Sequence, residues 1–308
     1  GGHFALLERP RVALLYNSPV STTDFGHVWR YLDEDLGMPV TLVDAQRPGS
    51  VDLDEYSVFI LPPGAGAFAR ERAEDLARWT RAGGTLIAIG SSGMALADPE
   101  LGLSANRLRR DVLEGLEAYA WRTDRERRSM DVEVDLDELY GPPGREPESR
   151  PLSSINLERG EDEASSGGTD ASDRADVEGE SPDPDALDRW RRRFSPAGVI
   201  LRAEVNPESW LTVGVSGEEM AVLFSGSSVL MSSVRPAIRL APEPQLRIGG
   251  LLWPEARVRI ADSAWLTSES LGQGKVICFA VSPVYRGSWR STGRLLGNAV
   301  VLGQGAGD

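Results

Sequence analysis

Three short apolar segments in the first part of the chain each end in a turn of small residues. They are RVALLY (residues 11–16), YSVFIL (56–61) and TLIAI (85–89), and they lead into Asn-Ser-Pro, Pro-Pro-Gly and Gly-Ser-Ser-Gly. Strands that are buried on both faces of a parallel sheet have this continuous apolar character. A fourth run, VTLV at 40–43, has the same pattern. We therefore expect buried parallel strands at all four positions.

Segments with helical spacing separate these strands. Asp24 is a candidate N-cap for a helix that Gly37 ends, and a second helix is predicted over residues 70–82. Strands and helices that alternate with short connections predict an α/β fold with a doubly wound, mostly parallel sheet. The functional groups of such a sheet gather at the carboxyl ends of its strands.

The second half of the chain is predicted to be rich in strands. It follows a predicted helix at 106–122 and a predicted short strand at 130–134. Apolar runs separated by Pro and Gly predict strands at 199–205, 210–215, 221–224, 229–231, 237–240, 264–267 and 275–281. Helices are predicted at 254–261 and 291–302, and the second of these should close the fold.

An acidic segment separates the two halves. Between Glu161 and Asp188 there are eleven acidic residues and one basic residue, Arg174. Such a segment cannot bury enough apolar surface to offset its ordering entropy, so it is predicted to be a disordered insert, either a solvated linker or an acidic docking peptide. The predicted organisation is one domain in two parts, 1–142 and 189–308, with the insert at 143–188.

The charge and the single cysteine restrict the partners and the chemistry. With 33 basic and 47 acidic residues the net charge is −14, which argues against nucleic acid or an anionic membrane as a partner. No apolar run is long enough to span a bilayer and no signal peptide opens the chain, so we expect a soluble protein, with its location left open. Cys278 lies in the apolar run VICF and is predicted to be a buried strand residue.

The stretch GGTLIAIGSSG at 83–93 predicts a nucleophile elbow. In an elbow, a sharp turn from strand to helix presents one side chain at the end of the sheet, and small neighbours allow backbone N–H groups to approach a reacting oxyanion. Ser91 and Ser92 are the two candidate nucleophiles in this turn.

The order of LYNSPVSTTDFGHVWRYLD, LPPG, GGTLIAIGSSG and FAVSPVYRG resembles the class I glutamine amidotransferase-like fold, which is flavodoxin-like. The phrases VWRYLD, GGTLIAIG, GLLWPEAR and DSAWLT are more closely similar to the amidotransferase-like domain at the carboxyl end of bacterial zinc carboxypeptidase-like proteins. This resemblance implies an attached or associated zinc carboxypeptidase-like domain, whose peptidase part lies outside this chain.

The resemblance also implies that the catalytic side chains of a glutaminase have been lost. The nucleophilic Cys falls on Ser91, or on Ser92 in the alternative frame, while the base falls on Ser282 and its orienting Glu on Val284. A serine without a base is a poor nucleophile, so the chain is expected to be inactive as a glutaminase. The implied vestigial cleft consists of Pro63, Gly64, Gly90, Ser91, Ser92, Gly93, Ser282, Tyr285 and Arg286.

Two other functions remain open. A serine hydrolase would need His27, which follows the first strand and lies close to Asp24, as the base for an elbow serine. A sensor would use Tyr285 and Arg286 to hold a small-molecule or peptide ligand, such as a carboxylate or a carbohydrate, in the cleft.

No cofactor is implied, and no zinc-ligand spacing occurs. The Gly1-Gly2-His3 terminus has the groups of a square-planar Cu(II) or Ni(II) site. A processing or cloning boundary explains it equally well, and no metal site is predicted.

Overall fold

Twelve strands form one sheet in the described part of the computed structural model, which covers residues 8–109, 193–226, 229–287 and 289–305. The described residues belong to one compact unit, to which both halves of the chain contribute. The strands are β1 (Val12–Tyr16), β2 (Val40–Asp44), β3 (Val58–Leu61), β4 (Thr85–Ile89), β5 (Arg107–Leu108), β6 (Ala197–Val205), β7 (Glu219–Ser225), β8 (Leu230–Met231), β9 (Ile238–Leu240), β10 (Arg247–Gly249), β11 (Ala264–Leu271) and β12 (Gly274–Phe279).

Five of these strands are parallel and lie in the order β2–β1–β3–β4–β12. This is the strand order of a flavodoxin-like sheet, in which β1 lies between β2 and β3 and the order of successive strands reverses at β1. Antiparallel strands extend the sheet beyond β12, through β11, β9 and β6 to β10. The predicted α/β class and parallel sheet are confirmed, and the strand-rich second half forms the antiparallel extension.

Six α-helices lie in the described residues and connect or cover these strands. They are α1 (Thr22–Arg30), α2 (Gly66–Glu71), α3 (Ala73–Arg81), α4 (Ser91–Leu96), α5 (Pro254–Ile260) and α6 (Gly293–Leu302). A π-helical turn, Tyr31–Asp35, continues α1. Within the described residues, no helix combines the length and the apolar character that crossing a bilayer requires.

The sheet is covered on both faces, and alternate residues of its strands belong to two separate cores. Leu14 and the strand residues on the same face of the sheet pack with α1 and α6. Leu15 and the strand residues on the opposite face pack with α2 and α3. The first core includes Leu14, Ile60, Ile87, Val28, Leu32, Leu295 and Leu296, and the second includes Leu15, Phe59, Leu86, Phe68, Leu76 and Cys278. Burial on both faces explains why these strands are continuously apolar in sequence.

Several local predictions were wrong, and side-chain hydrogen bonds account for two of them. Ser21, rather than Asp24, caps α1, because its Oγ accepts from the Asp24 N–H. Trp210–Thr212 is a 3₁₀ turn rather than part of a strand, because the Ser209 Oγ caps it by accepting from the Leu211 N–H.

Three more predictions differ from the structure, and they concern two paired strands and a break in a helix. Arg107–Leu108 is a strand paired with β8, where a helix was predicted from residue 106. The helix predicted over 70–82 is divided at Arg72 into α2 and α3, and β10 was not predicted. The predicted strand at 130–134, the acidic insert and Gly1-Gly2-His3 lie outside the described residues.

The loops that follow β1 and β3 are in close contact. The Ser21 N–H donates to the Pro63 carbonyl at 2.8 Å. Gly64 has a φ of +97°, and a Cβ atom there would lie 2.3 Å from the Pro19 carbonyl oxygen. Only glycine satisfies both the left-handed backbone and the contact.

We predict that Gly64→Ala destabilises the protein by about 3–5 kcal/mol, through backbone strain and steric overlap together. Gly102→Ala is the matched control, because Gly102 also has a positive φ, +59°, but its Cβ would meet nothing within 4 Å. The control should lose only about 1–2 kcal/mol. Urea unfolding of the two variants measures the difference, and equal losses would show that the contact between the loops contributes little.

Candidate functional site

The carboxyl ends of the parallel strands bring four turns together. Residues 17–21 follow β1, 62–65 follow β3, 90–93 follow β4 and 280–285 follow β12. Backbone hydrogen bonds link neighbouring turns, as between the Gly90 N–H and the Phe279 carbonyl at 2.8 Å. Because β1 and β3 send their helices to opposite faces of the sheet, a crevice opens at this edge.

The turn after β4 has the sharp geometry of an elbow, but the residue at the bend is a glycine. Gly90 has φ +59° and ψ −125°, and Ser91 and Ser92 are already the first two residues of α4. A Cβ on Gly90 would lie 3.2 Å from Pro63 Cγ. The position at which an elbow presents its nucleophile therefore has no side chain.

Both elbow serines are bonded to the loop that follows β3. The Ser91 Oγ accepts a hydrogen bond from the Gly64 N–H at 2.9 Å. The Ser92 Oγ accepts from the Ala65 N–H at 3.0 Å and donates to the Pro62 carbonyl. Ser92 is fully buried, whereas Ser91 is exposed. The two hydroxyls thus hold the 62–65 loop against the start of α4.

These hydrogen bonds also change what the 62–65 loop can do chemically. In an acyl-transfer site, backbone N–H groups of such a loop must be free to stabilise an oxyanion. Here the Gly64 N–H points at the Ser91 hydroxyl and the Ala65 N–H at the Ser92 hydroxyl. Neither donor is available to a substrate in this arrangement.

His27 lies half-buried on α1 and takes no part in the hydrogen bonds of the two serines to the 62–65 loop. Its ring packs edge-on against Tyr285, with 5.5 Å between the ring centroids. Its Nδ1 atom is buried without a hydrogen-bond partner, and no hydrogen bond among the described residues joins it to Ser91 or Ser92. The structure does not bring the predicted base into contact with a nucleophile.

The environment of His27 favours the neutral imidazole. Burial lowers its pKa from the usual 6.5, and this effect is larger than the opposing attraction of Asp24. The positive charge of Arg286 lowers the pKa further. The imidazole therefore favours its neutral form, but within the described residues neither elbow serine donates a hydrogen bond to it.

Ser282 and Val284, onto which the resemblance places the base and its orienting residue, have different surroundings, and so does the nearby Arg286. The Ser282 Oγ is buried and has no hydrogen-bond partner among the described residues. Val284 is a core residue, packed with α1 and α6. Arg286 is exposed and has a left-handed φ of +52°, with its guanidinium 5.0 Å from the centre of the Tyr285 ring. None of the three can act as a general base.

A cavity of about 390 Å³ occupies the crevice. Five members of the predicted vestigial cleft line it, and four do not. The lining members are Pro63, Gly90, Ser91, Ser282 and Tyr285, and the others are Gly64, Ser92, Gly93 and Arg286.

Sequence reasoning missed the rest of the lining. Thr23 and Asp24 come from the start of α1, and Leu223, Ser225 and Gly226 come from β7 and the residue after it. From the sequence, Asp24 was predicted only to cap the first helix and to lie close to His27. No local signal marks the β7 residues, because only tertiary packing brings that strand to the crevice.

The single cysteine is chemically inert. Cys278 is fully buried in β12, and burial, with a smaller contribution from Glu269, raises its thiol pKa to about 12. The thiolate is the reactive form, so nucleophilic chemistry at this residue is disfavoured. In the parts of the chain that the structure describes, no group of three or more His, Cys, Asp or Glu residues is placed to bind a metal ion.

No protein-family model and no curated protein matches the chain. Similar solved structures include a ThuA-like protein from Parabacteroides merdae (10% identity, 98% of this chain and 93% of that chain, TM-score 0.45). Another is the β-galactosidase from Bacillus circulans sp. alkalophilus (11% identity, 94% of this chain, TM-score 0.41), of which this chain spans only 30%. At these identities and TM-scores we infer nothing about activity from either structure.

We predict that Ser92→Ala destabilises the protein by about 1–3 kcal/mol, because it removes the buried hydroxyl that bonds both the Ala65 N–H and the Pro62 carbonyl and leaves these groups only their long mutual hydrogen bond of 3.3 Å. Ser91→Ala is the matched control at the adjacent position, and it should lose about 1 kcal/mol or less, because water can replace the exposed hydroxyl. Urea unfolding curves of both variants test this. A larger loss in the Ser91 variant would contradict the assigned roles.

Proposed function

We propose that this chain is a catalytically inactive, amidotransferase-like module. One observation carries the proposal: both elbow serines are hydrogen-bonded to the 62–65 loop, while the bend itself is Gly90. A hydrolase would need an elbow serine within about 3.2 Å of an imidazole nitrogen. His27 makes no such contact, so the serine hydrolase alternative has no supporting geometry.

The module's role is to support or dock a zinc carboxypeptidase-like catalytic part. The sequence resemblance suggests this partner, and the phrase GLLWPEAR supplies a surface suited to it. Leu251 in this phrase is 72% exposed, and Trp253 and Val258 are 41% and 54% exposed. Together with Ile248, which is 50% exposed, they place four exposed apolar side chains between residues 248 and 258 of the sequence, and we call this segment the 248–258 surface. Concentrated exposed apolar residues mark interaction sites.

The cavity favours a second role, the binding of a small molecule. It offers several hydroxyl groups at the switch point of an open α/β sheet, where ligands of such folds bind. This role is compatible with docking, because the cavity and the 248–258 surface involve different residues.

A fluorophosphonate probe and a glutamine hydrolysis assay test the absence of catalysis. We expect no labelling and no ammonia release, since no base contacts either serine. Ser91→Ala, Ser92→Ala and His27→Ala are the control variants. Stoichiometric labelling that disappears in one serine variant and in the His27 variant would make the chain a serine hydrolase and refute the proposal.

Docking is tested by co-purification with the zinc carboxypeptidase-like proteins encoded in the same genome. We expect complex formation, and we expect Leu251→Glu to weaken it at least about tenfold, because a charge would be buried in the interface. Val213→Glu is the matched control, since Val213 is also an exposed apolar residue, at 56%, but lies outside the 248–258 surface. Absence of a complex, or equal effects of the two variants, would contradict the docking role.

A further inference from the structure

We propose that the cavity at the carboxyl edge of the parallel strands binds a neutral, hydroxyl-rich small molecule of about the size of a monosaccharide. The inference rests on the proposed function in one respect, namely that the cavity is not a catalytic site. It goes further in assigning the chemical class of the ligand.

The polar groups of the cavity are predominantly hydroxyls. Thr23, Ser91, Ser225 and Tyr285 carry one each, and they come from the start of α1 and from the ends of β4, β7 and β12. A hydroxyl both donates and accepts hydrogen bonds, so it complements a ligand group that does the same. Alcohol groups of a polyol have this property, whereas carboxylates only accept and ammonium groups only donate.

The cavity lining among the described residues lacks basic side chains that would hold an anion. None of the described residues that line it is Lys, Arg or His. The nearby Gly64 N–H, which could have bound a negative oxygen, already donates to the Ser91 hydroxyl. The Asp24 carboxylate also lines the cavity and would repel a negative ligand.

The Asp24 carboxylate suits a ligand that donates hydrogen bonds. Its Oδ2 accepts from the Ser21 hydroxyl at 2.7 Å, and the remaining acceptor positions have no hydrogen bond among the described residues. A carboxylate can accept from two adjacent hydroxyls at once.

A positive charge close by opposes the charge of Asp24. Both Asp24 and Arg286 act on the neighbouring His27 ring, and they shift its pKa in opposite directions. The effect of Asp24 on the pKa of the ring is the larger of the two, so Arg286 offsets the carboxylate only in part.

Ser282 lines the cavity through atoms other than its hydroxyl oxygen. Its Oγ is buried and has no hydrogen-bond partner among the described residues, so this hydroxyl does not face the cavity.

The size and the apolar walls agree with this class of ligand. A volume of about 390 Å³ lies within the usual range for small-molecule sites. Pro63, Met94 and Leu223 provide apolar walls beside the hydroxyls. A sugar ring or a cyclitol has matching apolar and hydroxyl-bearing surfaces.

Saturation-transfer NMR on the whole chain tests the proposal, with D-glucose and myo-inositol as neutral probes, citrate as an anion and putrescine as an amine. Asp24→Asn keeps the side-chain shape and removes the charge, and Ser225→Phe narrows the cavity from an exposed position. Asp98→Asn is the matched control, because Asp98 is likewise a half-buried aspartate at the start of a helical turn but does not line the cavity. Thermal unfolding verifies that each variant is folded.

We expect a neutral probe to bind, and its affinity to fall about tenfold or more in Asp24→Asn and Ser225→Phe but not in Asp98→Asn. Stronger binding of citrate or putrescine, binding that the cavity variants leave unchanged, or no binding at all would each overturn the proposal. The fluorophosphonate result is independent of these outcomes. Failure of the ligand assignment is therefore distinguishable from failure of the proposed absence of catalysis.

Discussion

The hydrogen bonds between the start of α4 and the 62–65 loop are the interactions on which the whole carboxyl edge depends. Ser91 and Ser92 fix this loop, and the loop in turn contacts the turn after β1 through Gly64 and the Pro63 carbonyl. Three turns from three neighbouring strands are therefore held as one unit. Because the crevice lies between these turns, its shape is set by hydrogen bonds rather than by apolar packing alone.

The same hydrogen bonds determine which groups of the turn after β4 and of the 62–65 loop are free. An elbow serves catalysis when its bend carries a nucleophile and the facing N–H groups are unoccupied. Here the bend is Gly90, and hydroxyl groups occupy the N–H donors. Residues that carry hydroxyl groups also line part of the cavity beside this turn.

The fold was largely predictable from sequence, whereas the cavity was not. Strand β4 was predicted with its observed bounds, because its burial on both faces leaves a continuous apolar run. The elbow was recognised, but the alignment with an active relative nominated Ser91 or Ser92, since only the backbone angles show that Gly90 occupies the bend. Arg107–Leu108 was assigned to a helix, because a two-residue strand is defined by its partner β8 and has no periodicity of its own.

The sequence by itself determined the α/β class and the parallel strands. These properties follow from residue types and from short-range spacing. Tertiary structure alone decided that His27 packs on Tyr285 rather than beside a serine, and that Ser225 of β7 reaches the crevice where Asp24 lies. Contacts of this kind join segments that are far apart in the chain. They depend on how the antiparallel extension lies beside the parallel strands. No local pattern of residues predicts this arrangement.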